Sequence, residues 1–116
     1  MTIGAVKPFS TTVQSGATYS SYVDLAGGYK SVMLEIPTMA SATDVRLVGS
    51  NSYNGIYRQI YLEPVAGTTT PPIFNIDSSV TNCLVPINIS TQYVKVEFTS
   101  ATTKTSQTFN FICNSN

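Results

Sequence analysis

The sequence lacks most of the side chains that carry enzyme chemistry. It contains no histidine and no tryptophan, only two cysteines, and six aspartates and glutamates among 116 residues. Proton shuttles, metal cages and activated nucleophiles are built mainly from these residue types. Serine and threonine supply roughly a quarter of the chain, above their usual share in a globular domain. The composition therefore argues against an enzyme and favours a protein that acts as a surface or a building block.

The potential metal ligands are too scattered to predict a metal site. Cys83 and Cys113 are far apart in the sequence and form no Cys-x-x-Cys pair, which argues against zinc. Asp24, Asp44 and Asp77 each stand alone beside a turn or a strand end, whereas calcium needs clustered oxygen ligands. Capping of turns is the expected role of these aspartates. We expect no metal and no cofactor.

The few acids and many serines do not form a recognisable catalytic pattern either. Glu35 and Glu63 could share a strand face as a glycosidase pair, but Glu35 and Glu97 alternate with apolar neighbours, as any solvated strand face does. The serines have no histidine base and no Gly-x-Ser-x-Gly elbow. Gly27-Gly28 reads as a turn without a following helix, so no phosphate loop is predicted. We expect no enzymatic activity.

Charge and hydropathy limit the partners. The net charge is zero and the sequence pI is near 6.1, which argues against binding to nucleic acid or to an anionic membrane. A neutral chain repels its own copies weakly, so association into a homo-oligomer is expected. No signal peptide is visible at the first residues, and synthesis in a cytosol would keep Cys83 and Cys113 reduced. A disulfide between these two cysteines stays open at this point.

Strand signals cover most of the chain. Prolines interrupt it repeatedly, and β-branched and aromatic residues fill the gaps between them. Turns are predicted at 15–17, at 50–55 with its Asn-Gly step, and in the polar connection 66–72. The predicted strands are 9–14, 19–25, 30–36, 43–49, 56–63, 73–76, 83–89, 92–99 and 106–113. Eight or nine short strands predict an all-β antiparallel sandwich, most naturally a jelly roll, with residues 9–116 as one domain.

Alternation within the strands predicts which side chains form the core. In the clearest strands every second residue is apolar, so one face should be buried and the other should meet water. Val45 and Leu47 are expected inside and Val48 on the opposite face. The remaining inward residues are predicted to be Val32, Leu34, Ile36, Val94, Val96, Phe98, Phe109, Phe111 and Cys113.

Six of the seven tyrosines fall into two groups along the chain. Tyr53, Tyr57 and Tyr61 lie in or beside one loop and the strand that follows it, and Tyr57 and Tyr61 should share a strand face. Tyrosines 19, 22 and 29 cluster earlier. Three readings stay open for them: packing at the edge of the core, a protein interface, or a platform for sugars.

Several short motifs follow one another in a particular order along the chain. A Ser-Gly turn precedes a strand ending in Asp-Leu and glycines, and an apolar strand ending in proline follows. Gly-Ser with a polar tyrosine loop comes next, and then a strand of alternating charged and apolar residues. These segments are Ser15-Gly16, 23–28, 33–37, 45–50, 53–57 and 93–98. Their order resembles that of a group of small bacteriophage and prophage virion proteins.

This resemblance implies a structural protein of the virion with a β-sandwich fold. A capsid decoration (cement) protein, commonly a trimer bound to the major capsid protein on the outer shell, is the favoured role, because the chain is small and neutral and has no coiled-coil heptads. A tail or neck component and a glycan- or receptor-binding module of the virion are the alternatives. The expected location is the virion, assembled in the bacterial cytoplasm.

The first residues are expected to form a flexible arm over positions 1–8. Ile3 and Val6 make this arm apolar, and an arm of this kind can add a strand to a partner's sheet. A frayed terminus is the alternative. Together with Tyr53, Tyr57 and Tyr61, Ile3 and Val6 are the candidate interface residues.

Overall fold

A computed structural model shows an all-β protein made of two packed antiparallel sheets. It describes residues 6–25, 29, 31–39, 43–62, 66–67, 69–88, 91–99 and 106–114, and these contain nine strands and no helix. The strands are β1 (Val6–Val13), β2 (Val23–Asp24), β3 (Ser31–Ile36), β4 (Val45–Ser50), β5 (Arg58–Gln59), β6 (Asn75–Ile76), β7 (Cys83–Ile87), β8 (Tyr93–Phe98) and β9 (Gln107–Asn114).

The first sheet has the order β1-β9-β3-β7 and the second has the order β2-β8-β4-β5. The short strand β6 lies on the same side of β4 as β5, pairing with Val45 and Arg46 while β5 pairs with Val48 and Gly49. All of these pairings are antiparallel. The predicted all-β antiparallel sandwich is therefore confirmed.

The core lies between the two sheets and contains the side chains that alternation predicted. Leu34 of β3, Leu47 of β4 and Val96 of β8 have no exposed surface. Phe98 and Phe109 meet across the sheets in an edge-to-face contact, with ring centroids 5.7 Å apart. Because these rings come from different sheets, the contact ties the two layers together.

Val48 departs from the prediction. It was expected on the solvent side of β4, and it does lie opposite Val45 and Leu47, yet it is only 2% exposed. Its neighbours in register are Gln59 on β5 and Lys95 on β8. These long side chains flank Val48 on both sides, so the outer face of the second sheet is partly covered by its own side chains.

The predicted turn at 15–17 is confirmed. The Ala17 amide donates to the Gln14 carbonyl at 2.9 Å, and Gly16 has a φ of 81°. A positive φ at the third residue of a turn favours glycine, because a side chain there would be strained. The turn reverses the chain after β1 and sends it towards the second sheet.

Three predicted boundaries need correction. β1 begins at Val6, where the backbone pairs with Asn114, so 6–8 belong to the sheet and not to a free arm. Residues 1–5, Ile3 among them, lie outside the described residues. The predicted strands 19–25 and 56–63 are each reduced to a two-residue strand with isolated bridges at Tyr19, Ser20 and Tyr61.

The two cysteines are free, which closes the question of a disulfide between them. Both pair with β3 in register, Cys113 opposite Val32 and Cys83 opposite Ile36. Those positions are separated along β3 by roughly 13 Å at the usual rise of a strand. A disulfide requires Cα atoms closer than about 7 Å. Burial also raises the pKa of the Cys113 thiol.

The outermost strands of both sheets are poor templates for further strand pairing. Pro8 lies in β1 and Pro86 in β7, the two edges of the first sheet. Proline has no amide hydrogen to donate, so it interrupts any added ladder. In the second sheet the edge strands β2, β5 and β6 have two residues each.

Candidate functional site

The outer face of the second sheet carries a cluster of tyrosines. We call it the tyrosine face and define it by Tyr19, Tyr22, Tyr53, Tyr57 and Tyr93, together with Lys95 and Glu97. Its base is β8, where the half-buried Tyr93, Lys95 and Glu97 alternate with the buried Val94, Val96 and Phe98. The alternation that fills the core thus also places a tyrosine, a cation and an acid on the outside.

The loop after β4 brings two tyrosines to this face. A turn closes with the Gly55 amide donating to the Ser52 carbonyl at 3.0 Å, and the Ser52 hydroxyl donates to Asn54 Oδ1 at 2.8 Å. The Tyr57 hydroxyl then donates to the Tyr53 carbonyl at 2.9 Å. These bonds hold the loop folded back on itself and so fix the positions of Tyr53 and Tyr57.

The segment before β2 supplies Tyr19 and Tyr22 through a bulge. Tyr19 pairs with Glu97 and Val23 pairs with Val94, so this segment has one residue more than the stretch of β8 that it faces. Ser20 anchors it, since its amide donates to the Val96 carbonyl and its hydroxyl accepts from the Val96 amide, both at 2.9 Å. Residues three positions apart point to opposite faces of a regular strand, so the extra residue explains why Tyr19 and Tyr22 are both exposed.

Three of the rings contact one another. The centroid of Tyr22 lies 5.4 Å from that of Tyr93 and 5.9 Å from that of Tyr53, and Tyr53 lies 6.2 Å from Tyr93. The planes are inclined at 85°, 42° and 66° respectively. These are the edge-to-face and tilted arrangements that aromatic pairs prefer. The rings therefore brace each other and present ridges, not one flat surface.

The two charged side chains of the tyrosine face, Lys95 and Glu97, interact with neighbouring side chains on the same side of the sheet. Lys95 Nζ lies 4.3 Å from the centre of the Tyr57 ring, a cation–π contact. Glu97 accepts a hydrogen bond from Gln59 Nε2. A hydrogen bond with the same carboxylate, then burial and the negative charge of Glu97, raise the pKa of Tyr19. Burial raises the pKa of Tyr57, with the nearby Tyr22 and Tyr93 adding to the effect.

The tyrosine face exposes a large apolar area. Tyr19 is 49% exposed, Tyr22 46% and Tyr53 56%, although their backbones are held by the contacts above. Rigid aromatic side chains that stay half exposed in a free protein are typical of interface anchors, because little conformational entropy is lost when a partner covers them. The arrangement suits adhesion.

The structure brings together only part of the predicted tyrosine groups. Tyr53 and Tyr57 join the face as interface candidates, whereas Tyr61 does not contact the ring cluster and instead bridges to Ile73. Tyr29 packs against Phe9, with ring centroids 6.0 Å apart. Tyr93 is a central member that was not singled out from the sequence, although its alternation with Val94 could have identified it.

The acids considered for chemistry have structural surroundings. Glu35 accepts a hydrogen bond from Asn110 at 2.6 Å, and Glu63 lies outside the described residues. Asp77 accepts from the Ser79 amide at 2.9 Å, and hydrogen bonds from Ser79 lower the pKa of Asp77, which fits the predicted role in capping a turn. Among the residues described here, no three acids and cysteines come close enough to hold a metal ion.

Comparison of the chain with models of known protein families, with curated proteins and with solved structures finds no match. In the described part of the chain, no helix has the length and apolar character needed to cross a membrane.

Proposed function

We propose that this chain is a structural protein of a bacteriophage particle, a capsid decoration protein that binds the outer shell and stabilises it without chemistry. Its partners are the major capsid protein and further copies of the chain, arranged as a trimer. The observation that carries the proposal is the preformed, half-exposed tyrosine face on a charge-neutral sandwich. Many copies on a symmetric shell would turn weak single contacts into firm attachment.

The blocked edges of both sheets support adhesion through a face. Pro8 and Pro86 interrupt strand addition to the first sheet, and the second sheet ends in strands of two residues. A partner strand would have its hydrogen-bond ladder interrupted at the prolines and would find only short strands on the second sheet. The tyrosine face offers aromatic area instead, and tyrosine is enriched at the centres of protein interfaces.

A jelly-roll connectivity is part of this proposal, and the order of crossings between the sheets supports it. Consecutive strands alternate between the two sheets from β1 to β4 and again from β6 to β9. The jelly roll is an eight-stranded double sheet found in viral capsid proteins and in lectins. Fold alone does not assign a function, so this agreement strengthens the proposal only as an analogy.

The geometry of the rings favours a protein partner over a flat sugar platform. Tyr22, Tyr53 and Tyr93 are inclined to one another by at least 42°, so they form ridges and slots. Such relief fits side chains of a partner inserted between the rings. A tail or neck protein would use the same adhesion, and copy number separates that alternative from a shell protein.

Particles released by the bacterium that encodes this chain provide the test. Quantitative mass spectrometry of purified particles should find the chain at on the order of hundreds of copies, in fixed ratio to the major capsid protein. About six or twelve copies would instead assign it to a ring in the neck or tail. Its absence from the particles would overturn the proposal.

A matched pair of variants tests the role of the face. Tyr53 and Tyr61 are almost equally exposed, 56% and 55%, but only Tyr53 belongs to the ring cluster. We expect Tyr53→Ala to weaken binding to particles about tenfold or more, as loss of an interface anchor does, and Tyr61→Ala to bind as wild type. Equal binding by the two variants would remove the tyrosine face from the account.

A further inference from the structure

Asn54 and Gly55 lie in the loop after β4, at the edge of the tyrosine face, and both are exposed. Asn54 is the only asparagine of the sequence that is followed by glycine. The side-chain amide of an asparagine can be attacked by the backbone nitrogen of the next residue, and glycine hinders this attack least because it has no Cβ. Asparagine is one of the thermolabile residues for this reason. The Asn-Gly step is therefore the position of the chain most open to the reaction.

A hydroxyl group is bonded to the carbonyl that would be attacked. Ser52 Oγ donates to Asn54 Oδ1 at 2.8 Å. When a nitrogen adds to the carbonyl carbon, negative charge develops on Oδ1. A donor that is already in place stabilises this charge more than it stabilises the neutral amide, so it lowers the barrier. The Ser52 hydroxyl therefore favours ring closure at Asn54.

The attacking nitrogen is restrained by the same turn. The Gly55 amide donates to the Ser52 carbonyl at 3.0 Å. This nitrogen must give up its hydrogen before it can attack, so the bond is lost on the way to the product. One hydrogen bond has a net worth of about a factor of 2–10 in an equilibrium constant. The turn thus slows the reaction without preventing it.

We propose that Asn54 is a modification site at which the folded chain deamidates spontaneously. The Gly55 nitrogen loses its proton to a base from the solvent and bonds to Asn54 Cγ, and the side-chain nitrogen leaves as ammonia. A five-membered succinimide ring remains, which water then opens. Breaking the bond between nitrogen and Cγ gives aspartate, and breaking the bond between nitrogen and the main-chain carbonyl carbon gives isoaspartate.

Either product changes the edge of the tyrosine face. A negative charge is added directly after Tyr53, whose ring centroid lies 5.9 Å from that of Tyr22. Isoaspartate also adds a methylene group to the main chain inside the turn, next to the bond that the Tyr57 hydroxyl donates to the Tyr53 carbonyl. The rings of Tyr53 and Tyr22 should therefore shift. This inference is independent of the proposed attachment to a shell, because it uses only the chemistry of the chain itself.

Peptide mapping by mass spectrometry tests the proposal, on the full chain aged at mildly alkaline pH and shown by circular dichroism to stay folded. Asn51 is a matched internal control, since it is exposed in the same loop and the amide after it, that of Ser52, also donates to an oxygen, Ser50 Oγ at 3.2 Å. Asn54 should convert about tenfold or more faster than Asn51, because serine has a Cβ and glycine has none. Conversion of Asn51 at an equal rate, or an unchanged Asn54 in the aged folded chain, would overturn the proposal.

Three variants examine the chemistry of the site. Ser52→Ala keeps the main-chain bond but loses the hydroxyl, so conversion should slow about fivefold, whereas Ser52→Thr keeps a hydroxyl and should retain the wild-type rate. An undiminished rate in Ser52→Ala, or an equal loss in both variants, would refute the role of that hydroxyl. Asn54→Gln should not convert, because its ring closure needs six members. NMR signals of the Tyr53 ring should shift on ageing in the wild type alone, and the same shift in Asn54→Gln would contradict the assignment.

Discussion

The outer faces of the two sheets differ in the side chains that they expose to water. On the first sheet, a polar ladder crosses three strands: Ser10 donates to Asn110 at 2.5 Å, and Asn110 donates to Glu35 at 2.6 Å. Thr12 and Thr108 form a second rung at 2.9 Å. The outer face of the second sheet instead carries the contacting rings of Tyr22, Tyr53 and Tyr93.

The two outer faces therefore differ in the free energy that would be gained by covering them. The polar groups of the ladder satisfy one another and remain compatible with water, so covering them would yield little free energy. The half-exposed rings of Tyr22 and Tyr53 instead leave apolar area in water, and covering it is favourable. The first face has apolar exceptions as well: Leu84 is 52% exposed and stands beside Glu35 in register, and the half-buried Met33 and Ile112 pair with each other.

The largest loss of stability should come from breaking the aromatic contact between the two sheets. Phe98→Ala removes a ring that packs against Phe109 between the sheets, and we expect it to lower the free energy of unfolding by about 3–5 kcal/mol. Urea denaturation followed by circular dichroism measures the loss. The exposed Tyr61→Ala serves as the control and should change stability by less than about 1 kcal/mol. A loss below that limit in Phe98→Ala would contradict the assigned core.

Next in size is a pair of substitutions that should separate binding from stability. Tyr93→Ala removes the ring that braces both Tyr22 and Tyr53, so the dissociation constant for particles should rise about tenfold or more. Asn110→Ala breaks the ladder to Ser10 and Glu35, so it should cost about 1 kcal/mol of folding free energy and leave binding intact.

Co-sedimentation with particles and urea denaturation, run on both variants, give the comparison. If Asn110→Ala weakened binding as much as Tyr93→Ala, the two faces would not differ in function. Binding should be measured without urea and at a temperature well below the melting temperature of each variant. A loss of folded protein is then not counted as a loss of affinity.

The smallest expected effect is a pH dependence confined to the tyrosine face. The pKa of Tyr19 is raised above its ordinary value of 10.0 by the hydrogen bond with Glu97, by burial and by the charge of that carboxylate. The fold therefore favours the neutral phenol. This contribution to stability is complete below pH 10 and is lost as the pH rises through the raised pKa.

Melting temperatures between pH 8 and pH 11.5 measure this dependence. Tyr19→Phe should show a shallower alkaline decline than wild type, and Glu97→Gln should also flatten it because the charge is removed. Identical profiles for all three proteins would show that the bond between Tyr19 and Glu97 does not couple to folding.

The sequence predicts the strands whose alternation is clean. In β8, Val94, Val96 and Phe98 alternate with Lys95 and Glu97, and both faces are as expected. At Val48 alternation predicts the correct face but not the burial. Long side chains of the neighbouring strands cover Val48, and no local pattern in the sequence shows which residues those neighbours are. Alternation along a strand thus predicts on which side of the sheet a side chain lies, whereas its burial depends on the side chains that the fold packs over it.

Only some of the residues of the tyrosine face could be predicted from the sequence. Tyr53 and Tyr57 share a loop, so their proximity follows from the chain itself. Tyr22 and Tyr93 are distant in sequence and meet because a bulge shifts the register between Tyr19 and Val23. A single extra residue changes which side chains share a face, and such pairing follows from the tertiary fold.

Hydroxyl-radical footprinting of the chain, free and bound to particles, tests the central claim most directly. The method reports which side chains a partner covers. The account predicts that Tyr22 and Tyr53 become protected on binding, while Met33 and Ile112 on the outer face of the first sheet keep the reactivity of the free protein. Protection of Met33 and Ile112, with the tyrosines still reactive, would contradict it.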